Sequence, residues 1–178
     1  LLSISYVYDL PFFRTPGMAN KILGGWQYSG IMSTQTGTPF SVTYGDFSDN
    51  AGVSNGSGPG TYADIVGDPS ANVPASAPDT SPLIYNPAAF AAPQGLTFGN
   101  SGRNRLRNPR TTNFDMALFK HFKITESAAF EFRAEAFNIF NHTQWNGMGG
   151  DLSSPGDFLR PSGAHRARTM QFGAKFIF

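Results

Sequence analysis

The stretch Arg168 to Phe178 reads RTMQFGAKFIF and decides the fold. Its even-numbered positions carry one set of side chains and its odd-numbered positions another: Met170, Phe172, Ala174, Phe176 and Phe178 against Thr169, Gln171, Gly173, Lys175 and Ile177. Successive side chains of a β-strand point to opposite faces, so the segment has one apolar face and one mixed face. A helix would scatter the apolar residues around its circumference, and Gly173 would weaken its middle. The pattern therefore predicts a strand that ends on a bare aromatic residue.

Composition excludes several classes of protein. The chain has 178 residues, no cysteine and a formal net charge of +1. Disulfide and thiolate chemistry are absent, and the charge argues against a nucleic-acid partner bound by bulk electrostatics. No run approaches the roughly 18 apolar residues of a transmembrane helix, so a membrane protein of this sequence would be a barrel. The chain opens on Leu1 without a signal segment and is expected to be a piece of a longer protein.

The same alternation recurs along the chain and predicts about five strands. Pro39 interrupts the second strand, but Phe40, Val42 and Tyr44 keep its parity, so the strand is expected to continue past a bulge. The predicted strands cover about residues 1–10, 24–44, 112–123, 128–140 and 168–178.

The segment 128–140 has two interpretations. Phe130, Phe132, Ala134 and Ala136 alternate with Glu131, Arg133 and Glu135, as in a strand. Its Ala and Glu content also suits a helix, which would line up Glu131, Glu135, Asn138 and His142 on one face. Strict alternation favours the strand.

Two long connections, about 45–111 and 141–167, separate strands from one another. The first is rich in Gly and Pro and is interpreted as a surface loop that cannot form a packed core. Loops of this length are usually functional or disordered. Short pieces such as Pro87 to Ala92 could form a helical turn, but no element is assigned there.

The connections alternate between short and long, as in outer-membrane barrels with short periplasmic turns and long extracellular loops. Aromatic side chains also gather on the apolar face near the short-turn end, as in an aromatic girdle. These residues are Tyr6, Tyr8, Trp26, Tyr28, Phe122, Phe130, Phe176 and Phe178. The fold class is therefore predicted as all-β: an antiparallel up-and-down transmembrane barrel segment with two long extracellular loops, forming an open curved sheet when isolated.

This fold makes two structural predictions. The apolar face should be solvent-exposed, with no second sheet on it; it includes Leu2, Tyr6, Trp26, Met32, Met116, Phe132, Phe172 and Phe176. Face parity further limits the register, because directly opposed residues share a face. The tight turn at residues 125–127 predicts Phe122 opposite Phe130. The closing strand is predicted to pair Phe130 with Phe176 and Glu131 with Lys175, which avoids a like-charge pair between Arg133 and Lys175.

Candidate chemistry is sparse, and no catalytic, cofactor or metal site is predicted. Arg103, Arg105, Arg107 and Arg110 form a basic run that could contact anionic lipopolysaccharide or a substrate, although a solvated loop is the simpler interpretation. The three histidines lack metal-ligand spacing. Glu131 and Glu135 would lie too far apart on a strand for paired glycosidase acids, so they are interpreted as lumen lining. Lys120 on the lipid face is expected to extend to the headgroups.

Several motifs, in this order, resemble the carboxy-terminal barrel segment of TonB-dependent receptors, and the Oar-like group in particular. They are Gly24-Gly25-Trp26-Gln27-Tyr28-Ser29-Gly30, Gly37-Thr38-Pro39-Phe40, Phe98-Gly99-Asn100, Gly102-Arg103-Asn104, Asn113-Phe114-Asp115, Leu118-Phe119-Lys120 and residues 131–142, EFRAEAFNIFNH. The resemblance covers essentially the whole chain. Asn108-Pro109-Arg110 departs from the Gly-Pro-Gly turn expected there.

The resemblance implies uptake of a large substrate across the bacterial outer membrane, without enzymatic activity. Its implied partners are outer-membrane lipid, the rest of the barrel, an upstream plug, the TonB energy complex and the barrel-assembly machinery. The closing strand would carry the assembly signal, comprising Met170, Phe172, Phe176 and Phe178. The alternatives are a passive porin or adhesin barrel and a soluble carbohydrate-binding β-sandwich.

Overall fold

The computed structural model describes residues 1–12, 17–45, 61–78, 80–95 and 97–178. They divide into two compact units. The wall comprises Leu1–Gln35, Thr112–Thr143 and Arg166–Phe178, and the lobe comprises Thr36–Thr111 and Gln144–His165. Residues 46–60, 79 and 96 of the predicted first long loop lie outside the described residues.

Nearly all the regular structure is β, as predicted. The strands are β1 (Leu2–Asp9), β2 (Trp26–Gln35), β3 (Pro39–Phe40), β4 (Thr43–Tyr44), β5 (Thr61–Tyr62), β6 (Asp64–Ile65), β7 (Phe90–Ala91), β8 (Leu106–Arg107), β9 (Thr111–Lys123), β10 (Ala129–Phe137), β11 (Trp145–Met148), β12 (Pro161–Ala164) and β13 (Thr169–Ile177). A helix, α1, covers Met18–Leu23, and a 3-10 helix covers Pro87–Ala89, within a segment to which the sequence analysis assigns no element. Among the described residues, neither helix has the length and hydropathy to span a bilayer.

The wall is an open five-stranded sheet in the order β1-β2-β9-β10-β13. The ladders β1–β2, β9–β10 and β10–β13 are antiparallel. The predicted open sheet of about five strands is therefore confirmed, and β1 and β13 are its two edges. Residues 129–137 form a strand, which excludes the helical interpretation of this segment.

The predicted register is also confirmed. Phe122 lies opposite Phe130 across the tight turn. On the other side of β10, Phe130 lies opposite Phe176 and Glu131 opposite Lys175. Arg133 faces Gly173, so the like-charge pair is avoided.

The second predicted strand, 24–44, is wrong in its length. β2 ends at Gln35, and Pro39 and Phe40 pair with Arg107 and Leu106 in the lobe instead. A side chain at Gly37 would place its Cβ 1.6 Å from the Asn108 carbonyl oxygen, so the two segments cross with almost no space between their backbones. The lack of an N–H on Pro39 also removes one bond from any continued wall ladder.

The apolar face of the wall is only partly as exposed as predicted. Leu2, Tyr6, Phe172 and Phe176 are exposed, and the other four residues of the predicted set are half-buried. Neighbouring side chains on the same face cover these four residues. For example, the Phe132 ring contacts the rings of Trp26 and Phe172. The described part of the wall contains this one sheet.

The lobe corrects the prediction that the long loop 45–111 lacks a packed core. Its described residues enclose a hydrophobic cluster with Phe90 and Phe158 in edge-to-face contact, their ring centroids 5.8 Å apart. The buried members are Val42, Ala63, Ala89, Phe90, Leu106, Phe158 and Leu159. The Gly and Pro residues do not prevent packing here, because they occupy turns between short buried segments.

Backbone hydrogen bonds join the two long connections into this lobe. The Thr43 N–H donates to the Gly150 carbonyl at 2.8 Å, and the Leu152 N–H donates to the Thr43 carbonyl at 2.8 Å. The Ile84 N–H donates to the carbonyl of Leu159, which is fully buried. The two connections are thus one folded body.

Candidate functional site

The odd-numbered face of the wall carries a charged cluster centred on Arg133. Its guanidinium lies 3.5 Å from the Glu131 carboxylate and 3.9 Å from that of Glu135. It also stacks over the Phe119 ring at 5.0 Å. Both glutamates are therefore held by one cation between them, an arrangement that suits a solvated lining better than a pair of catalytic acids.

Further polar contacts extend this cluster across the sheet. The Gln27 amide donates to the Asp9 carboxylate at 2.9 Å, and the Gln171 amide donates to the Glu135 carboxylate. Such a face can line an aqueous lumen, as predicted for Glu131 and Glu135.

The polar face also contains an apolar groove that sequence reasoning missed. The groove encloses about 340 Å³, and its lining includes Val7, Ile31 and Phe137. These three side chains are exposed to solvent. The signal was present, since all three occupy odd-numbered positions in strands, but each stands singly among polar residues.

The opposite face holds the predicted girdle residues in rows. Tyr8 lies opposite Tyr28 on the first two strands, and Phe122, Phe130 and Phe176 lie side by side on three adjacent strands. The hydroxyl of Tyr6 is 3.0 Å from that of Tyr28. Tyr6 reaches it by crossing Gly30, where an added Cβ would meet the tyrosine oxygen at 2.4 Å. Glycine is the residue that leaves this space open.

Lys120 does not extend outward as expected. Its side chain is 3% exposed, and its ammonium donates to the Gly24 carbonyl. The ammonium also lies 5.6 Å from the centroid of the Trp26 ring and 4.8 Å from that of Phe122. The glycine turn places a carbonyl within reach, and two aromatic faces attract the cation, so the side chain folds back onto the wall.

A turn built on asparagine closes the β10 end of the wall. Asn138 and Asn141 adopt positive φ angles of 51° and 52°, which asparagine tolerates better than most residues. The Asn138 amide donates to the carbonyls of His142 and Arg166 at 3.2 and 3.3 Å, and its oxygen accepts the His142 N–H at 3.1 Å. The Asn141 oxygen accepts the Arg168 N–H at 3.0 Å. The turn thus fixes the entry to β13.

The basic run lies on the lobe, with all four arginines exposed. Arg107 donates to the Gly37 carbonyl at 3.3 Å. Within the described residues, the guanidinium groups of Arg103, Arg105 and Arg110 make no hydrogen bond or ion pair. The structure therefore brings the four together on one exposed segment.

Asp151 joins the two connections of the lobe through its carboxylate. One oxygen accepts the Gly45 N–H at 3.0 Å, the Ser153 N–H at 2.9 Å and the Ser153 hydroxyl at 2.7 Å. Burial alone would raise the pKa of this carboxyl, but the hydrogen bonds from Ser153 and Gly45 outweigh it and hold the pKa below its usual value. The charged form is therefore favoured by folding.

Asp151 should make the lobe sensitive to acid. A lowered folded-state pKa contributes stability above the unfolded pKa, which is lost as the pH falls through the folded value. We expect lobe stability, measured by resistance to an acid-active protease such as pepsin, to fall below about pH 4. Asp151→Asn should flatten this dependence. Asp157→Asn, at an exposed aspartate of the same lobe, is the control, and an equal flattening there would contradict the assignment.

The remaining predicted positions are not assembled into a site. His121, His142 and His165 are exposed. Among the residues that the structure describes, no group of three or more His, Asp or Glu side chains could hold a metal ion. In the closing strand, Met170, Phe172 and Phe176 are exposed, and Phe178 is 96% exposed at its end.

Comparison with known protein families yields a match over most of the chain. A family model described as outer membrane beta barrel domain matches residues 1–171. No curated protein and no solved structure matches the chain.

Proposed function

Because the chain belongs to the outer membrane beta barrel domain family, whose members lie in the bacterial outer membrane, we propose that it is the closing part of the barrel of a TonB-dependent transporter, within the Oar-like group. The wall forms one sector of the barrel, with its apolar face toward lipid and its Arg133 face toward the lumen. The family match also excludes the soluble β-sandwich.

The observation that carries the proposal is the folded lobe. Both of its connections leave the wall at strand ends opposite the short turns, so they belong on the extracellular side of a barrel. A body with its own hydrophobic core and backbone cross-links offers a shaped surface for capturing a substrate. A passive pore needs no such surface.

The resembling motifs also have structural roles. Asn138 and Asn141 hold the turn into β13, and the Asn100 amide oxygen accepts the Ile65 N–H at 2.7 Å inside the lobe. Residues of the motifs that are similar to those of TonB-dependent receptors therefore help to determine this architecture. This supports the assignment to the TonB-dependent transporters.

The proposal includes partners and excludes catalysis. A plug within the full-length protein would fill the lumen, and the TonB energy complex would act through it. No catalytic role is proposed, because both Glu131 and Glu135 form ion pairs with the Arg133 guanidinium.

Energy dependence tests this function. Cells producing the full-length protein would be compared with cells lacking the TonB complex, using uptake of candidate substrates from culture medium as the measurement. Uptake should require both the protein and the energy complex. Uptake that persists without the complex would instead identify a passive porin, and cell attachment without uptake would identify an adhesin.

Removal of Phe178 should reduce barrel assembly. Phe178 follows β13 directly, and the resemblance to TonB-dependent receptors gives it a role in the assembly signal; its side chain is 96% exposed. Deletion of Phe178 or Phe178→Asp should lower the folded protein in outer-membrane fractions several-fold, measured as heat-modifiable mobility on gels. Phe98→Asp, at an exposed phenylalanine of the lobe, controls for loss of an aromatic side chain. Unchanged folded protein after deletion would contradict the role.

A further inference from the structure

The basic run of the lobe concentrates positive charge on one short segment. We call Arg103, Arg105, Arg107 and Arg110 the arginine row; all four side chains are exposed. Asp64, Asp68, Asp151 and Asp157 are the acidic residues of the described lobe, and none of them lies within ion-pair distance of the row. Within the part of the lobe that the structure describes, the basic row and the acidic side chains are thus separate.

The backbone that carries the row is held in place. Leu106, which lies between Arg105 and Arg107 in the sequence, is 6% exposed and packs into the lobe core. The Tyr85 hydroxyl donates to the Arg107 carbonyl at 2.8 Å and accepts the Arg107 N–H at 3.3 Å. Because alternate residues of an extended segment share a face, Arg105 and Arg107 both point away from the core, about 7 Å apart along the chain.

The chain is also anchored on either side of Arg105 and Arg107. The Asn104 N–H donates to the Ser41 hydroxyl at 2.9 Å. The Asn108 amide donates to the carbonyl and hydroxyl of Thr38 at 3.0 and 2.8 Å. These contacts come from a separate stretch of chain, so they order the backbone between Asn104 and Asn108 before any ligand arrives, which lowers the backbone entropy lost on binding.

The chemistry of the row matches a chain of anionic groups. Each guanidinium can donate two parallel hydrogen bonds to a carboxylate or phosphate. Arg107 uses one donor on the Gly37 carbonyl and retains others. A single small anion would engage one or two arginines, whereas four neighbouring exposed arginines can contact successive charges on one polymer.

We propose that the arginine row is a docking site for an acidic polysaccharide. Single-stranded nucleic acid is disfavoured, since its binding sites combine cations with aromatic platforms for the bases, and among the described residues no aromatic ring stacks on the row. The inference rests on the proposed function only in treating the polysaccharide as cargo, because docking itself needs no energy.

Binding to a defined probe tests the site. Full-length protein in detergent would be titrated with polygalacturonate oligomers at low and high salt, with neutral dextran alongside. We expect binding that weakens as salt rises and that falls about tenfold or more in the double variant Arg103→Gln/Arg105→Gln, which loses two charge-assisted contacts. Heat-modifiable mobility confirms that the variant is folded.

A second double variant, Lys123→Gln/Arg166→Gln, removes the same charge from exposed positions of the wall and should bind like the parent protein. Equal losses in the two variants would overturn the site. Polyphosphate or single-stranded DNA binding more tightly than polygalacturonate, or equal binding of dextran, would overturn the polysaccharide assignment. Row-dependent binding without energy-dependent uptake would contradict the transport function and leave the docking site intact.

Discussion

Asn138→Ala should be among the most damaging single substitutions in the wall. The Asn138 side chain is 7% exposed and makes three hydrogen bonds, to His142 twice and to Arg166 once. Their loss costs about 2–4 kcal/mol, at roughly 1 kcal/mol each with a penalty for any group left buried and unpaired. The positive φ of 51° adds a backbone cost for alanine.

The backbone cost can be measured separately at Asn72. Asn72 has a φ of 50°, is exposed, and makes no side-chain hydrogen bond within the described residues. Asn72→Ala therefore shares the conformational penalty and lacks the network. We expect urea unfolding of the refolded full-length protein to show a much larger destabilisation for Asn138→Ala. Equal midpoints for the two variants would mean that the turn does not hold the closing strand.

The wall could be predicted from the sequence because apolar and polar residues alternate along each strand and so identify its two faces. The even-numbered residues of β9, β10 and β13 had to face one another, which left few registers. The charges of Glu131, Arg133 and Lys175 then selected one of them. In a sheet, the alternation of side chains within each strand therefore also limits which residues of neighbouring strands can pair.

The limits of β2 and β10 could not be predicted in the same way. Phe40, Val42 and Tyr44 continue the parity of β2, yet they belong to the lobe. What redirects the chain is a contact between Gly37 and Asn108, which are distant in sequence. β10 ends at Phe137 because Asn138 adopts a positive φ instead of the extended conformation. A single asparagine in the sequence is not enough to predict a turn.

The lobe was missed for a related reason. Val42, Phe90, Leu106 and Phe158 come from separate short segments with no shared period, so no window of sequence shows a buried face. Abundant Gly and Pro predict that no core forms, whereas in the structure they supply the turns that bring these segments together. The arginine row was visible as a cluster, but its fixed backbone depends on Ser41, Tyr85 and Thr38 and could only be seen in the structure.

The lobe should also lose its packing in Gly99→Ala. Gly99 has a φ of 70°, and an added Cβ would lie 2.0 Å from the Tyr62 carbonyl oxygen. The neighbouring Tyr62 N–H donates to the Phe98 carbonyl at 3.0 Å, and the Asn100 N–H donates to the Asp64 carboxylate at 2.9 Å. Alanine must therefore push apart two segments that these bonds hold together, next to the fully buried Ala63.

Gly102→Ala is the matched control for this change. Gly102 has a φ of 69°, and no described atom lies within 4 Å of a Cβ built there, so its variant carries the positive-φ cost of about 1 kcal/mol without the clash. Overpacking adds about 1–3 kcal/mol at Gly99, so thermolysin, which needs access to buried apolar residues, should cleave the lobe about tenfold faster in Gly99→Ala. Heat-modifiable mobility should be retained in both variants, because the wall has its own contacts. Equal cleavage rates in the two variants, or loss of the folded barrel in Gly99→Ala alone, would contradict a lobe that packs around its own core.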